Sequence, residues 1–567
     1  MKGTIINNLL RSSAFWCAML TVALLAPFLN KAFHIDDPLF LWVAKQIHAH
    51  PLDYYGFDVN WSGHLTPMAQ ENMNPPLVGY YIALAACFVG WSEIPLHAAF
   101  LVPAALFALG VNVLSRRFCA QPGYATALSI LSPVFLISST SVMTDAFMTT
   151  LYVWSVVLWL KASDEDKAWL YVLAAITIVA AALSKYFAIS LVPLLAAYSV
   201  ASKHPVRRWL PALFLALILF GLYEWHSQSR YGGGSLLTAA LYKAPDQSGT
   251  GKSLFLRTLT ALSFTGGCLA GLLFVSPLLL TRRRLAIAGI LAVATFLLLA
   301  VLPASKALLV NVWPWYFWPA LGQLALWIVV GASVLILAAN DLLHRRDPRS
   351  ILLALWVAGT FIFAAYLNWS VTARTILPLV PPTVILAVRQ IEITRPWFRE
   401  AAWKWRTVLP LLLTAAFSLS LTRADYLLAG SARTAASGAS HELASYTKHI
   451  YFLGQWGFQY YMQNAGMTPV DLDNADLSEG DIVISPNNNS NVFPLKDDHV
   501  RAKSAVELPV CRWTTPMLVR LGAGFYSDLW GPLPFAFGPV SPERYTTSLI
   551  GKPGNPFDLS FMESSQP

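Results

Sequence analysis

Apolar residues along this chain fall into long runs separated by short polar or basic segments. Leu20–Leu29, Ala286–Leu302, Leu321–Ala339 and Val408–Leu421 are almost free of charge. With its flanks, each approaches the roughly 20 residues that carry an α-helix across about 30 Å of hydrocarbon. Aromatic residues such as Trp313, Trp315, Tyr316 and Trp318 sit at run ends, where the membrane interface favours them. The pattern predicts an all-α polytopic membrane protein with about thirteen crossings. They lie near 12–32, 96–114, 121–141, 146–161, 168–184, 187–202, 209–223, 256–280, 285–303, 316–339, 350–368, 375–391 and 406–422. A further apolar stretch, 76–91, is short and follows Pro75-Pro76, so it reads as an interfacial helix. The stretch Ser12–Leu29 lacks a small-residue cleavage site and reads as a retained first helix rather than a signal peptide.

Composition strengthens this reading. The 567 residues are 56% hydrophobic and only 12% charged, about half the charged fraction a soluble domain needs to face water. The net charge of +9 does not point to nucleic acid, because the basic residues form small clusters between apolar runs. That is the signature of the positive-inside rule. Placing Lys2, Arg11, Arg116-Arg117, Lys161–Lys167, Lys203–Arg208, Arg282–Arg284, Arg345–Arg349 and Arg389–Arg406 in the cytoplasm gives a cytoplasmic N-terminus. Residues 33–75 then form a first outer loop. The expected location is an integral one, in a bacterial inner membrane.

Residues 1–422 therefore form a transmembrane module. Residues 423–567 are polar, richer in acids than bases and broken by Gly and Pro, and they read as a small extracytoplasmic (periplasmic) α/β domain. Within it, Ala444–Met462 reads as a helix, Asp481–Ser485 as a strand and Asn487–Asn491 as a loop. Of the five cysteines only Cys511 lies in this domain, which excludes a disulfide within it.

Ionisable groups near hydrocarbon are costly unless they serve a purpose. On this topology Asp36, Asp37, Asp145, Lys185 and Arg374 collect at the outer ends of helices, one charge in each of three short turns and a carboxylate pair after the first helix. Each alone reads equally as a charge snorkelling to water; together they suit phosphate chemistry. A carboxylate can take a proton from an attacking hydroxyl, and the cations can hold a phosphate as it leaves.

The same positions carry a resemblance. His34-Ile35-Asp36-Asp37-Pro38-Leu39-Phe40 resembles the acidic first-loop motif of GT-C glycosyltransferases. Asn74-Pro75-Pro76-Leu77 looks like their His-Pro-Pro-Leu segment, and Ser141–Phe147, around Asp145, like their second acidic loop. Leu183-Ser184-Lys185-Tyr186 looks like their Thr-Lys-Gly-Pro turn. Ala373–Leu379 resembles a late segment led by arginine. The family is glycosyltransferase family 39 in the broad sense, with the protein O-mannosyltransferases and the lipid A aminoarabinose transferase. The resemblance covers residues 12–422 and implies transfer of a sugar from a polyprenyl-phosphate donor to a hydroxyl of a glycan, lipid or protein, with membrane lipid as surroundings. It implies Asp36 as base and, with their position at outer turns, Lys185 and Arg374 as phosphate ligands; Asp37, adjacent to Asp36, and Asp145 are expected in support. His64, Glu71, Asn74 and Tyr81 are expected to support the acceptor or the loop. Asp37 stands where many members have Glu, Asn74 where they have His, and Tyr186-Phe187 where they have Gly-Pro.

Other readings carry less. Gly249–Ser253 looks like the end of a phosphate loop, but Asp246 stands where a Walker motif needs Gly. His48, His50, His64 and Glu71 are metal-ligating types in one loop, with no standard spacing; a divalent metal stays open and no cofactor is assigned. A transporter or flippase of a lipid-linked sugar would show repeated halves and binding groups at the bilayer midplane; neither is visible. A polysaccharide ligase or polymerase would carry a large late outer loop, and 224–255 is modest.

Overall fold

A computed structural model of the chain describes residues 12–72, 74–233, 236, 239, 253–400 and 403–558. Lys2, Arg11 and the segment 249–252 lie outside the described residues. Eight described helices are long and apolar enough to cross a membrane, and Leu254–Cys268 with Gly271–Leu279, bent by 77°, makes a ninth candidate. Ser13–Phe28, Ala168–Ala182 and Tyr186–Ala201 are shorter apolar helices. The expected crossing at 121–141 is two pieces, Pro122–Ile130 and Pro133–Ser138. It breaks because Pro133 keeps Ser132 out of the helical region. These elements correspond one to one to the segments expected from sequence. Leu77–Val89 is the short helix behind Pro75-Pro76.

The basic clusters meet at one end of the bundle. Arg117 pairs with Asp164, Arg208 with Asp166, and Arg349 donates to the Arg117 carbonyl. The loop after the first helix is built, not irregular. It holds the helix Asp37–Ala49 and a hairpin pairing Asp58–Asn60 with Leu65–Pro67. The hairpin docks on the C-terminal domain. Leu472 N donates to the Gly63 carbonyl at 2.8 Å, and Asn60 Nδ2 to that of Val470 at 2.9 Å.

The last helix corrects the boundary set at residue 422. Trp405–Glu442 is one helix of 38 residues, about 57 Å long, so it overshoots the hydrocarbon. Residues 423–442 are rich in Ala and free of Pro, which sustains the helix. Ala432 and Ala436 pack on Phe452, Phe458 and Ile484 of the C-terminal domain. That domain is a five-stranded mixed sheet, ordered 468–469, 450–452, 482–486, 543–550, 500–508. The strand at Ile482–Pro486 is as expected. The helix expected over 444–462 is not: Ile450–Phe452 is a strand and the helix starts only at Trp456. β-branched and aromatic residues fit the pleated sheet there, and Gly454 at φ 93° turns the chain after it.

Glu543 opens the strand Glu543–Ile550, is 7% exposed and accepts a hydrogen bond from Asn488 at 2.8 Å. Burial pushes its pKa up to about 7. Between its unfolded value of 4.5 and that figure, the native state binds more protons than the unfolded state. Stability is therefore greatest at the acid end of this window and falls as pH rises through it. Glu543→Gln is expected to flatten this dependence, worth on the order of 2 kcal/mol, in melting curves recorded across the window.

Candidate active site

Between the first helix and Asp37–Ala49 the chain passes through Ile35, a β-branched residue at φ 47°. Such a conformation costs on the order of 1–3 kcal/mol and survives only where its surroundings enforce it. It presents two neighbouring carboxylates in different directions. Asp37 is fully buried and accepts the backbone N–H of His34 at 2.8 Å and of Val142 at 3.0 Å. It ties the first acidic loop to the second. Burial pushes its pKa up to about 7, against the pull of Lys31 and the two N–H groups. Asp36 occupies the N-cap of Asp37–Ala49, but its side chain caps nothing in that helix. It is 31% exposed and instead accepts from Arg374 Nη1 at 2.8 Å.

Arg374 connects the rest. Its guanidinium lies 3.7 Å from Asp145 Oδ2, and Lys185 Nζ lies 2.6 Å from Asp145 Oδ1. Asp36, Arg374, Asp145 and Lys185 thus form one alternating chain of charges summing to zero. Asp145, 2% exposed in its side chain, is the anchor between the two cations. Buried Arg374 Nε has no hydrogen-bond partner, which leaves a donor for an anion. The turn carrying Lys185 is gripped from two sides. Leu77 N donates to the Leu183 carbonyl at 3.1 Å, and Thr144 Oγ1 to that of Ser184 at 2.6 Å. The motifs around Asn74, Asp145 and Lys185 are therefore neighbours in space.

The C-terminal domain completes the site. Ala373 N donates to the Phe525 carbonyl at 2.8 Å, while Val371 and Asp528 exchange two bonds of 2.9 Å. These contacts fix the segment that delivers Arg374. The Tyr526 ring lies 5.4 Å from the guanidinium, and its hydroxyl donates to Asp425. Asp425 in turn pairs with Lys31; both side chains are fully buried. His34 lies 3.9 Å from Asp425, its Nε2 without a hydrogen bond, and burial lowers its pKa to about 4.

Lys31, Asp425 and Tyr526 were not singled out from sequence. The available signal was one ionisable residue of each sign just inside or beyond the first and last apolar runs. The supporting residues go elsewhere. His64 pairs with Asp473 at 3.0 Å and, with Asp471, groups ligand-type atoms within 4.8 Å of one another near the surface. Glu71 accepts from Ser62 and Thr66 inside its own loop. The Asn74 carbonyl accepts from Tyr55, and its side-chain amide lies 3.5 Å from Asn72 Oδ1. Tyr81 donates to the Ala99 carbonyl at 2.7 Å and packs on Phe100 and Phe147. Of the histidines expected beside His64, His48 meets Cys87 and Trp91 instead.

Fold and site together define a polytopic membrane protein whose C-terminal domain closes over a charged cluster at the helix ends. Residues 73–225 match the family model described as Dolichyl-phosphate-mannose-protein mannosyltransferase. The matched segment is about a quarter of the chain and includes Asn74, Asp145 and Lys185. No curated protein matches the chain. Among solved structures, the Archaeoglobus fulgidus oligosaccharyltransferase tethered with an acceptor peptide is 13% identical, with a TM-score of 0.46, over 81% of this chain and 63% of that one. The chain thus spans less than two thirds of that relative. ArnT from Cupriavidus metallidurans in the apo state is 15% identical, with a TM-score of 0.42, over 84% of this chain and 93% of that one. The same protein bound to undecaprenyl phosphate is 14% identical, with a TM-score of 0.43, over 83% and 92%.

Proposed function

We propose that this protein is an integral membrane glycosyltransferase that moves a sugar from a polyprenyl-phosphate donor to an acceptor hydroxyl at the outer face, with inversion. The observation that carries this reading is the Asp36–Arg374–Asp145–Lys185 chain, with a carboxylate and two cations within reach of one small anionic group. The match of residues 73–225 to a family named for a dolichyl-phosphate sugar supports the donor class.

Arg374 touches Asp36 already, so a donor phosphate held by Arg374 and Lys185 brings its sugar C1 next to that carboxylate. Asp36 accepts the proton of the acceptor O–H as the oxygen attacks C1. The C1–O bond to phosphate breaks, and the electron pair leaves with the polyprenyl phosphate onto the two cations. One displacement inverts the anomeric centre. Asp145 holds the cations and Asp37 holds the backbone beneath Asp36. The acceptor is a hydroxyl of lipid, polysaccharide or protein. The basic clusters at the opposite end of the bundle favour a cytoplasmic N-terminus and an outer C-terminal domain.

The experiment that tests this is mass spectrometry of envelope glycolipids, polysaccharides and glycoproteins with and without the protein. One sugar modification is expected to disappear; identical profiles would overturn the reading. Tyr526 supplies a finer prediction. Tyr526→Leu removes the ring over Arg374 and the donor to Asp425, and is expected to weaken donor-lipid binding about 10-fold. Tyr526→Phe keeps the ring and is expected to lose much less, as measured by binding of a polyprenyl phosphate to purified protein.

A further inference from the structure

Trp456 stands out in the C-terminal domain. It opens the helix Trp456–Asn464 at φ 66°, a left-handed conformation that a bulky aromatic residue adopts only when forced. What forces it is a clamp on the preceding residue. Gln455 N donates to Asn489 Oδ1 at 2.8 Å, Asn489 Nδ2 returns a bond to the Gln455 carbonyl at 3.1 Å, and Ser490 holds the Gln455 side chain at 2.6 Å. The next residue, Gly457, packs so closely on the first outer loop that a Cβ there would lie 1.9 Å from the Phe33 carbonyl oxygen. The strained backbone at Trp456 is thereby fixed against the Phe33–His34 segment that leads into Asp36.

Its ring lies 5.3 Å from that of Trp530 and meets His34 edge-on at 6.5 Å. Trp530 follows Tyr526, the residue over Arg374, by four positions. Both indoles are half-buried and belong to the aromatic layer between the domain and the helices. They are not bilayer anchors of the kind seen in Trp315 and Trp318, which are more than half exposed. Strain held by an amide clamp, against the Phe33–His34 segment that precedes Asp36, points to a functional position.

We propose that Trp456 and Trp530 form a stacking subsite for a saccharide ring at the Asp36 end of the charged cluster. The C–H face of a sugar ring carries partial positive charge and lies flat on the negative face of an indole, while its hydroxyls stay at the ring edge. This rests on the glycosyltransferase reading and deepens it: the subsite takes a carbohydrate ring, either of the acceptor or of the donor.

Saturation-transfer NMR on the full-length protein in nanodiscs tests it, with the methyl glycosides of mannose, glucose, galactose and N-acetylglucosamine as probes. At least one is expected to receive saturation on its ring protons from wild-type protein. The signal should fall at least five-fold in Trp456→Ala and in Trp530→Ala and recover partly in Trp456→Phe, with melting temperatures near wild type as the folding control. Persistence of that signal when saturating undecaprenyl-phosphate mannose is added assigns the ring to the acceptor; its displacement assigns it to the donor. Equal signal in wild type and in the Trp456→Ala/Trp530→Ala double variant overturns the proposal, as does no signal from any of the four probes. Binding of undecaprenyl phosphate, and its loss in Arg374→Ala, separately reports whether the phosphate-site reading stands.

Discussion

Asp36→Asn is expected to leave expression, melting temperature and donor-lipid binding near wild type and to reduce transfer by at least 10²–10⁴-fold, the usual worth of a positioned general base. Asn has the same shape but cannot take a proton. The position tolerates the change because Asp36 supports no fold element: it caps nothing and is partly exposed. Loss of the ion pair frees Arg374, which still has Asp145 beside it. The neighbouring substitution is the internal control, since Asp37 spends both oxygens on backbone N–H groups of two loops. Asp37→Asn turns one of those oxygens into an amide facing an N–H. That is expected to cost roughly 1–3 kcal/mol of stability, read as a lower melting temperature, with turnover falling through the distorted loop. If Asp36→Asn keeps most of its turnover while Asp37→Asn stays folded and dead, the base is the other carboxylate. If both remain active, the acid–base role of this loop falls.

The contrast between these two aspartates also shows where sequence reasoning stops. Asp36, Asp145, Lys185 and Arg374 were legible because each is an ionisable group at the end of an apolar run, where charge is costly and therefore informative. What separates Asp36 from Asp37 is which way the backbone turns at Ile35, and no residue pattern records that turn. The Lys31–Asp425 pair was hidden for another reason. Its partners lie 394 positions apart in sequence, and each alone resembles an interfacial charge. Tyr526 sits in a mixed domain where aromatic residues usually build core, so nothing marked it as lying over Arg374. Apolar runs marked the order of the helices, because hydrophobic length is a direct demand of the bilayer; among the described residues eight of them, or nine with the bent pair, are long and apolar enough to cross. Beyond residue 422 that demand ends. There the continuation of the last helix to Glu442 and the strand at Ile450–Phe452 depended on packing between the helix and the sheet. Shared loop membership was a poor guide to shared space: His64 turns to Asp473, Glu71 to its own hairpin and Tyr81 to a neighbouring helix.

Arg374→Ala is expected to weaken binding of a polyprenyl phosphate and to lower transfer by roughly 10²–10³-fold, the scale of losing one preorganised group that stabilises developing charge. Arg374 contributes four contacts at once: Asp36 at 2.8 Å, Met143 Sδ at 2.9 Å, Asp145 at 3.7 Å and the Tyr526 ring at 5.4 Å. The fold should survive the change. The segment before it is held by backbone bonds of Val371 and Ala373 to the C-terminal domain, and Asp145 keeps Lys185 at 2.6 Å. Asp145 is therefore not stranded as a buried lone charge, which would otherwise cost several kcal/mol. Arg374→Lys restores a positive charge but not the planar fork that can hold a carboxylate and a phosphate together. It is expected to recover only part of the binding and less of the turnover. Lys185→Ala is expected to fall between the two, since Asp145 then relies on Arg374 alone. Titration of undecaprenyl phosphate against the purified variants, with transfer measured in parallel, distinguishes the outcomes. Unchanged binding in both Arg374→Ala and Lys185→Ala would remove these residues from the donor site. Lost transfer with unchanged binding in Arg374→Ala alone would instead place its role on Asp36, as a guide for the base rather than a ligand for the phosphate.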